Sequence, residues 1–264
     1  MSILARCAIA LAVALTITLL ARRARALSTG GAVAATVVGA LAVLAGWKWA
    51  ILLVVYFASS SVLSRIGVKQ KDARTSSVVE KGGERDAMQV LANGGAFALA
   101  ATLGVVLPAY GVRWLALGLG ALAASASDTW GTEVGTLRGG RPRSILGFGV
   151  VPVGMSGGVT VAGTVAAIAG AAFIALVAAA LSWPLRLSIA VFAGGIVGST
   201  LDSLIGATLQ QRRWCDRCQK PTERVVHDCG TSTRPVAGLA WLDNDAVNLV
   251  SGIAGGLLAM AIIG

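Results

Sequence analysis

Residues 112–133 read VRWLALGLGALAASASDTWGTE, an apolar run that ends in two acids, Asp128 and Glu133. An ionisable side chain in or beside a membrane segment is costly in free energy, so its presence marks a candidate functional site. Three arginines and a second apolar run follow within the next thirty residues. The stretch therefore predicts a membrane-spanning helix whose polar end carries the chemistry of the protein.

The composition places the chain among polytopic membrane proteins. Its 264 residues are 56% hydrophobic and only 13% charged, and the mean hydropathy of +0.78 lies far above that of soluble domains. We therefore predict an all-α transmembrane helical bundle. Windows of about 17–25 apolar residues suit a spanning helix. The eight candidate windows are 3–20, 29–46, 49–64, 87–107, 112–127, 157–180, 187–209 and 246–263.

Basic residues are concentrated on one side of this predicted topology. Segments 21–28, 65–86, 128–155 and 210–240 hold 18 of the 22 lysines and arginines, and all 12 acids fall on or near the same side. The positive-inside rule makes that side cytoplasmic. We therefore predict an integral protein of the cytoplasmic membrane whose site faces the cytosol. The net charge of +10 fits this topology and contact with anionic membrane lipids; no nucleic-acid partner is expected, because no recognition module is visible.

The whole chain, 1–264, is predicted to form one integral membrane domain with an internal repeat. Short strings recur in the same order in the halves 1–108 and 109–264, such as DAMQ from Asp86 and DAVN from Asp245. Four spans in each half give both halves the same orientation. This pattern predicts two parallel four-helix repeats related by an axis along the membrane normal, and substrate sites often lie between such halves.

Three acids form the predicted metal site. Asp128 and Glu133 are five residues apart, which on a regular helix turns them about 140° from each other. A break in the helix would let both reach one Mg²⁺ ion, which takes one or two carboxylates together with phosphate oxygens and water. Asp202 lies in GSTLDSLIG among small and apolar residues, so it needs a partner. For Asp128 and Glu133, the alternative is a capped helix end with acids that reach towards solvent.

The stretch KGGERDAMQ, which starts at Lys81, has the composition of a phosphate site. Its glycines allow close approach of a ligand to the backbone, and Lys81 and Arg85 can pair with phosphate oxygens. Gln89 and Asn93 are four residues apart, so they share one helix face. Hydrogen bonding between helices is the alternative for these two amides.

Four residues of segment 210–240 form a candidate zinc site. Cys215, Cys218, His227 and Cys229 follow the pattern C-x2-C-x8-H-x-C. Three thiolates and an imidazole suit tetrahedral Zn²⁺, and a reducing cytosol argues against disulfides. Free thiols are the alternative.

Six motifs cover most of the polar face between residues 81 and 248. They are KGGERDAMQVLANGG from Lys81, SDTWGTEVG from Ser127, RPRSI from Arg141, VPVGMSGGVT from Val151, GSTLDSLIGAT from Gly198 and LDNDAVN from Leu242. In these motifs the chain resembles a widespread family of integral membrane proteins that includes plant phytyl-phosphate kinase. The Cys/His insert is not shared by every member, which places it outside the expected catalytic set.

The resemblance implies a CTP-dependent, Mg²⁺-dependent kinase that converts an isoprenoid monophosphate into its diphosphate. For such a reaction we predict catalytic roles for five residues: Asp128, Glu133 and Asp202 would hold Mg²⁺, and Lys81 and Arg85 would bind the phosphates. The implied substrate-binding residues are Gln89, Asn93, Arg141, Arg143, Ser156, Gly157, Gly158, Asp245 and Asn248. For Asp245, a helix-start acid favoured by the helix dipole is the alternative.

Two other functions remain open from the sequence. Parallel repeats and glycine-rich spans also fit a transporter or lipid translocator, although such proteins usually place their polar sites near the midplane of the membrane. A structural or assembly role is the third reading. The acids gather at one rim, which favours the enzyme. The chain has no G-x-x-x-x-G-K-[ST] string, so a nucleotide site would be of a non-standard kind.

Overall fold

Apolar segments in a bilayer form helices, because only a helix pairs every backbone amide within the segment. The computed structural model describes residues 2–147 and 149–264. Within these ranges the predicted all-α bundle is confirmed. The helices are α1 (Ile3–Arg23), α2 (Thr29–Ala45), α3 (Trp47–Arg65), α4 (Val68–Thr75), α5 (Ala87–Val106), α6 (Gly111–Arg138), α7 (Val161–Ala180), α8 (Leu185–Thr208) and α9 (Asn244–Ile263).

Six of the helices in the described ranges are long and apolar enough to cross a membrane. These are α1, α3, α5, α7, α8 and α9. Helix α2 is apolar but shorter, at 17 residues, and α6 is not in the set of six. The chain is therefore polytopic, and the predicted total of eight spans stays a prediction.

Helix α6 lies at the centre of the bundle and packs against α5, α7, α8 and α9. Most of its residues from Ala116 to Ser127 are buried. Small residues allow neighbouring helices to approach closely. Where α8 meets α9, a Cβ atom added to Gly194 would lie only 2.4 Å from the carbonyl oxygen of Gly255. The apolar stretch before Asp128 is thus the helix around which the others pack.

The long connections meet at one end of the bundle, which we call the polar end. Its segments are 24–28, 66–86, 139–160 and 209–243. The amide of Ser28 donates to the carbonyl of Arg85 at 3.1 Å, and the amide of Glu223 donates to that of Val78 at 3.0 Å. These segments carry most of the basic residues, so the structure groups them as the predicted topology does.

The opposite end has short connections and few charges. The Lys48 ammonium lies 5.8 Å from the ring centroid of Trp183, and Arg113 Nε donates to the carbonyl oxygen of Gly264 at 2.6 Å. Aromatic rings and isolated cations of this kind are typical of the membrane interface. The compartment that each end faces stays a prediction.

Two small antiparallel sheets lie at the polar end. Strands β1 (Arg143–Ser144) and β2 (Gly158–Val159) pair within segment 139–160. Strands β3 (Arg212–Cys215), β4 (Lys220–Thr222) and β5 (Arg234–Ala237) form a sheet in the order β4-β3-β5. The second sheet builds most of segment 210–240, and its strand β4 leads directly into Glu223.

Two predicted span boundaries are corrected. The fifth was expected to end at 127, but α6 continues through Arg138 and stops before Gly140, whose φ of +68° leaves the helical region. The sixth was expected to start at 157, but α7 starts at Val161, because Thr160 Oγ1 caps it by accepting from the amide of Gly163 at 3.0 Å.

The predicted repeat has unequal packing in its two halves. In the first half, α2 packs against α5. The helix that corresponds to α5 in the predicted alignment is α9, and α9 packs against α6 and α8. The aligned acids also differ in position, because Asp86 is the N-cap of α5, whereas Asp243 rather than Asp245 caps α9. The repeat therefore stays a prediction.

Candidate functional site at the polar end

The structure separates Glu133 from Asp128. Helix α6 runs unbroken past both residues, so the predicted break between them is absent. Glu133 instead forms an ion pair with Lys71, whose side chain is 8% exposed, and accepts a 2.5 Å hydrogen bond from Ser64 Oγ. Lys71 therefore already neutralises the charge of Glu133, and the predicted place of Glu133 in the metal site stays a prediction.

Asp128 and Asp202 come together although α6 and α8 carry them 74 positions apart. The charges of Asp128 and Glu223 both act on the carboxylate of Asp202. Ser251 Oγ on α9 donates to Asp202 Oδ2 at 2.8 Å. We call Asp128, Asp202 and Glu223 the acidic cluster. Charges of one sign at close range favour a bound cation.

Glu223 was not among the predicted site residues. The amide of Ser156 donates to its Oε1 at 2.8 Å, and Gln210 Nε2 donates to its Oε2 at 3.0 Å. Burial raises the pKa of Glu223 above its ordinary value, although these hydrogen bonds and the charge of Arg212 oppose the shift. The sequence gives little signal for Glu223, because it lies in a polar loop among many charged residues and only the fold of β4 brings it to Asp202.

An apolar cavity lies between α1, α2, α3 and α5. The space inside the cavity and in its open mouth is about 860 Å³. Its walls are mainly aliphatic, and its polar lining residues are Thr18, Tyr56, Arg85, Gln89, Asn93 and Thr129. The guanidinium of Arg85 lies 5.5 Å from the ring centroid of Phe57. The cavity thus suits a long apolar molecule with an anionic or polar group at one end.

Tyr56 connects this cavity to the acidic cluster. The ring is buried, at 6% exposure. Its hydroxyl lies within hydrogen-bonding reach of Ser125 and Thr129 and within electrostatic range of Arg85 and Asp128. Thr129, which lines the cavity, directly follows Asp128 on α6.

Lys81 lies between two acidic side chains in the structure. Its Nζ pairs with Asp86 at 2.9 Å and with buried Asp245 on α9. Burial lowers the pKa of Lys81, but the hydrogen bonds and charges of Asp245 and Asp86 outweigh it and raise the pKa above its ordinary value. Lys81 thus joins the start of α5 to the start of α9. Asp245 is a paired, buried acid rather than only an exposed helix-start acid.

Gln89 and Asn93 lie together on the cavity face of α5, as their spacing predicts. Gln89 also closes a capping box, because its side chain accepts from the amide of Asp86 at 3.0 Å while the Asp86 carboxylate accepts from the amide of Gln89. Asn93 Nδ2 donates to the carbonyl of Gln89 at 2.9 Å. The two amide side chains therefore form hydrogen bonds within α5 and also line the cavity.

The other predicted substrate residues lie in segment 139–160 and on α9. Arg141 and Arg143 are exposed in segment 139–160, and Asn248 is half-buried on α9, one turn before Ser251. Gly157 has a φ of +78°, and an added Cβ would lie 2.5 Å from that of Ala207 on α8. This close approach holds Ser156 and Gly158 beside the end of α8, where the Ser156 amide reaches Glu223.

The Cys/His residues form a second cluster. The ligand atoms of Cys215, Cys218, His227 and Cys229 all lie within 4.8 Å of one another, and within residues 2–147 and 149–264 this is the only such set of three or more. Hydrogen bonds from Thr231 lower the pKa of Cys229 to about 6. The adjacent thiols Cys229 and Cys215 raise that of Cys218 to about 11. Three sulfur atoms and an imidazole nitrogen at such distances could share one metal ion.

A helical bundle with an acidic cluster at one end and an apolar cavity between its helices defines a polytopic membrane protein with a candidate site at its polar end. The sequence profile of a family described as "Integral membrane protein DUF92" matches residues 12–256. The chain therefore belongs to this family of integral membrane proteins, and the predicted membership of such a family is confirmed.

Several curated proteins are similar over most of their length. The uncharacterized membrane protein MJ0933 of Methanocaldococcus jannaschii is 29% identical over 99% of this chain and 96% of its own. Protein PGR of Arabidopsis thaliana is 31% identical over 86% of this chain and 85% of its own. The uncharacterized membrane protein sll0875 of Synechocystis is 31% identical over 82% and 74%. No solved structure matches the chain.

Proposed function

We propose that this protein is a membrane-embedded kinase of isoprenoid monophosphates, such as phytyl or prenyl phosphate, that uses a nucleoside triphosphate, with CTP favoured. The observation that carries the proposal is the apolar cavity whose polar residues, Arg85 and Tyr56, adjoin the acidic cluster. A lipid tail and a charged headgroup need this combination of surfaces. A soluble substrate would not need a cavity with mainly aliphatic walls.

The lipid tail would lie between α1, α2, α3 and α5, with its phosphate beside Arg85. Arginine binds phosphate oxygens in a bidentate manner, and Gln89 and Asn93 offer amides on the same wall. The cation–π contact with Phe57 orients the guanidinium of Arg85. The attacking phosphate oxygen would thus be held close to Asp128.

Asp128 and Asp202 are the residues best placed to hold Mg²⁺, with Glu223 next to them. The three acids lack the tight convergence of a closed metal cage, and Mg²⁺ usually relies on one or two carboxylates and completes its shell with phosphate oxygens and water. When bound, the metal would neutralise charge that develops on the transferred phosphoryl group. In this proposal Arg141 and Arg143 of segment 139–160 contact the triphosphate of the nucleotide.

The polar end faces the cytosol in this proposal, because the positive-inside rule places its basic segments there and because nucleoside triphosphates are cytosolic. The nucleotide would approach from solvent, whereas the lipid would enter from the bilayer between helices. Transfer would occur at the rim where the two paths meet, beside Asp128 and Asp202.

Purified protein in detergent or nanodiscs, incubated with radiolabelled CTP, Mg²⁺ and a panel of isoprenoid monophosphates, tests the proposal. We expect labelled isoprenoid diphosphates, and we expect Arg85→Gln to reduce their formation at least about 10-fold, because it removes a charge-assisted phosphate contact. Arg23→Gln, at the exposed end of α1, is the matched control and should have little effect. A lipid translocator would instead move isoprenoid phosphates across liposomes without forming diphosphate, and that result would replace the kinase with the alternative.

A further inference from the structure

We propose that Cys215, Cys218, His227 and Cys229 bind one structural Zn²⁺ ion that fastens segment 210–240 onto the polar end. The site lies outside the acidic cluster, and the proposal does not depend on the kinase activity. It assigns a function to the one motif of the chain that the proposed reaction leaves unused.

The distances between the ligand atoms match a tetrahedral site. At a Zn–S bond length of about 2.3 Å, two sulfur ligands lie about 3.8 Å apart, and a sulfur and a nitrogen ligand about 3.5 Å apart. Cys215 Sγ lies 3.7 Å from Cys229 Sγ, and His227 Nδ1 lies 3.3 Å from Cys229 Sγ. The 3.7 Å separation is also far longer than the bond of about 2.0 Å in a disulfide.

The local chain has the form of a metal-binding hairpin. Cys215 ends β3 and is fully buried, and Cys218 lies in the turn that leads into β4. Gln219 has a φ of +51°, so the turn closes tightly and brings the two thiols to the same side. His227 and Cys229 arrive from the loop between β4 and β5. Paired ligands from a C-x2-C turn and from a second loop are typical of structural zinc sites.

His227 is buried, at 3% exposure, and its surroundings fit a ligand. Its Nδ1 lies 2.7 Å from Asp228 Oδ1 as well as 3.3 Å from Cys229 Sγ. Its Nε2 is buried and has no hydrogen-bond partner within the described ranges. Nδ1 is therefore the ring nitrogen that lies beside the thiols, and it is the atom we assign as the zinc ligand.

Four protein ligands leave no open position, so the ion would be structural rather than catalytic. Its contribution would be to hold a segment that has few other means of folding. From that segment, Thr222 Oγ1 donates to the carbonyl of Ser77 at 2.8 Å and the amide of Glu223 donates to that of Val78. Because Glu223 directly follows β4, zinc binding also fixes the third member of the acidic cluster.

Metal analysis of the purified, full-length protein tests the site. We expect one zinc per chain, with Cys215→Ser and Cys229→Ser reducing it to near zero. Cys7→Ser is the matched control, because Cys7 is exposed on α1 and should leave the zinc content unchanged. A wild-type protein purified without metal, or with iron in place of zinc, would overturn the proposal, and so would cysteine variants that keep their zinc.

A second measurement uses wild-type protein alone and so does not depend on the folding of a variant. Segment 210–240 holds six lysines and arginines, and four of them, Arg212, Arg213, Arg217 and Arg224, are not followed by proline and so are sites at which trypsin cleaves. We expect it to resist trypsin until the zinc is removed by a chelator, and to regain resistance when Zn²⁺ is restored. Co²⁺ in place of Zn²⁺ should give the absorption of a tetrahedral thiolate complex. Equal cleavage with and without metal, together with an octahedral Co²⁺ spectrum, would contradict a structural tetrahedral site.

Discussion

Ser251 on α9 donates a 2.8 Å hydrogen bond to Asp202 on α8. Asp202 also interacts electrostatically with Asp128 on α6. Side chains of α6 and α9 therefore both interact with the carboxylate that α8 carries. This hydrogen bond holds the carboxylate in position near the polar end of α8.

Glu133 is expected to stabilise the fold rather than to bind metal. Glu133→Gln removes the charge that Lys71 faces in a mostly buried ion pair. Loss of one partner of a buried pair costs about 3–5 kcal/mol, and the partial exposure of Glu133 places this pair near the lower value. We expect a melting temperature in detergent lower by several degrees, with isoprenoid kinase activity retained by the protein that stays folded.

Thermal unfolding and the CTP assay on one preparation test this division of roles. Asp72→Asn, a change of charge on the same short helix α4 as Lys71, is the control. If Glu133→Gln kept full stability but lost activity, Glu133 would instead belong to the metal site.

The cavity is expected to set the length of the accepted lipid tail. Ala35 lines it from α2, and Ala35→Phe would fill part of the space. Each methylene in an apolar pocket is worth about 1–3 kcal/mol, so exclusion of even part of a long tail should raise KM at least about 10-fold. Short isoprenoid phosphates should be affected less. Val37→Phe, on the exposed face of the same helix, is the control, and equal effects of the two variants would argue against a tail in this cavity.

The sequence predicted the class of fold and the grouping of the polar segments, because both follow from hydropathy and from the distribution of basic residues. From their spacing it predicted that Gln89 and Asn93 lie on one face of a helix. It also predicted that Asp128 and Asp202 lie at the same rim of the bundle, because each lies near the same end of a predicted span. These conclusions need only the length of a span and the period of a helix.

Other features depend on packing that no single stretch of sequence contains. The length of α6 beyond Asp128 was underestimated because the polar residues after it resemble a loop, whereas contacts with Lys71 and Arg74 hold them in a helix. Glu223 was missed because only the β3–β4 hairpin carries it to Asp202. The cavity needed the relative positions of four helices.

The orientation of the protein is tested by introduced cysteines in a Cys7→Ser background. Arg141 lies in segment 139–160 at the polar end, and Tyr110, which is 52% exposed, lies between α5 and α6 at the opposite end. A membrane-impermeant thiol reagent applied to intact cells should label Tyr110→Cys and leave Arg141→Cys unlabelled until the membrane is permeabilised. The reverse pattern would turn the polar end outwards and remove its access to cytosolic CTP.

The burial of Glu223 predicts a pH-dependent stability. Its raised pKa means that the folded protein takes up a proton more readily than the unfolded chain. Stability without metal should therefore rise as the pH falls through the raised pKa of the folded state. Glu223→Gln, which mimics the protonated form, should be more stable than wild type near neutral pH, and the difference should shrink in acid.

Thermal unfolding in EDTA across this pH range measures the effect. Glu84→Gln, at an exposed acid of segment 66–86, is the control and should show no comparable gain. A Glu223→Gln protein that is less stable than wild type at neutral pH would mean that Ser156, Gln210 and Arg212 more than offset the cost of burying the charge.

The central claim is that Asp128 and Asp202 support Mg²⁺-dependent phosphoryl transfer to a lipid phosphate. Asp128→Asn and Asp202→Asn keep the shape of each side chain and remove the charge that a metal needs. Even the loss of residues that only orient metal ligands costs about 10- to 100-fold, so loss of a ligand should cost at least roughly 100-fold. The most direct measurement is the rate of isoprenoid diphosphate formation by wild type and both variants at several Mg²⁺ concentrations. We predict folded, membrane-inserted variants with at least that loss of activity, whereas full activity in both variants with an unchanged Mg²⁺ dependence would contradict the account.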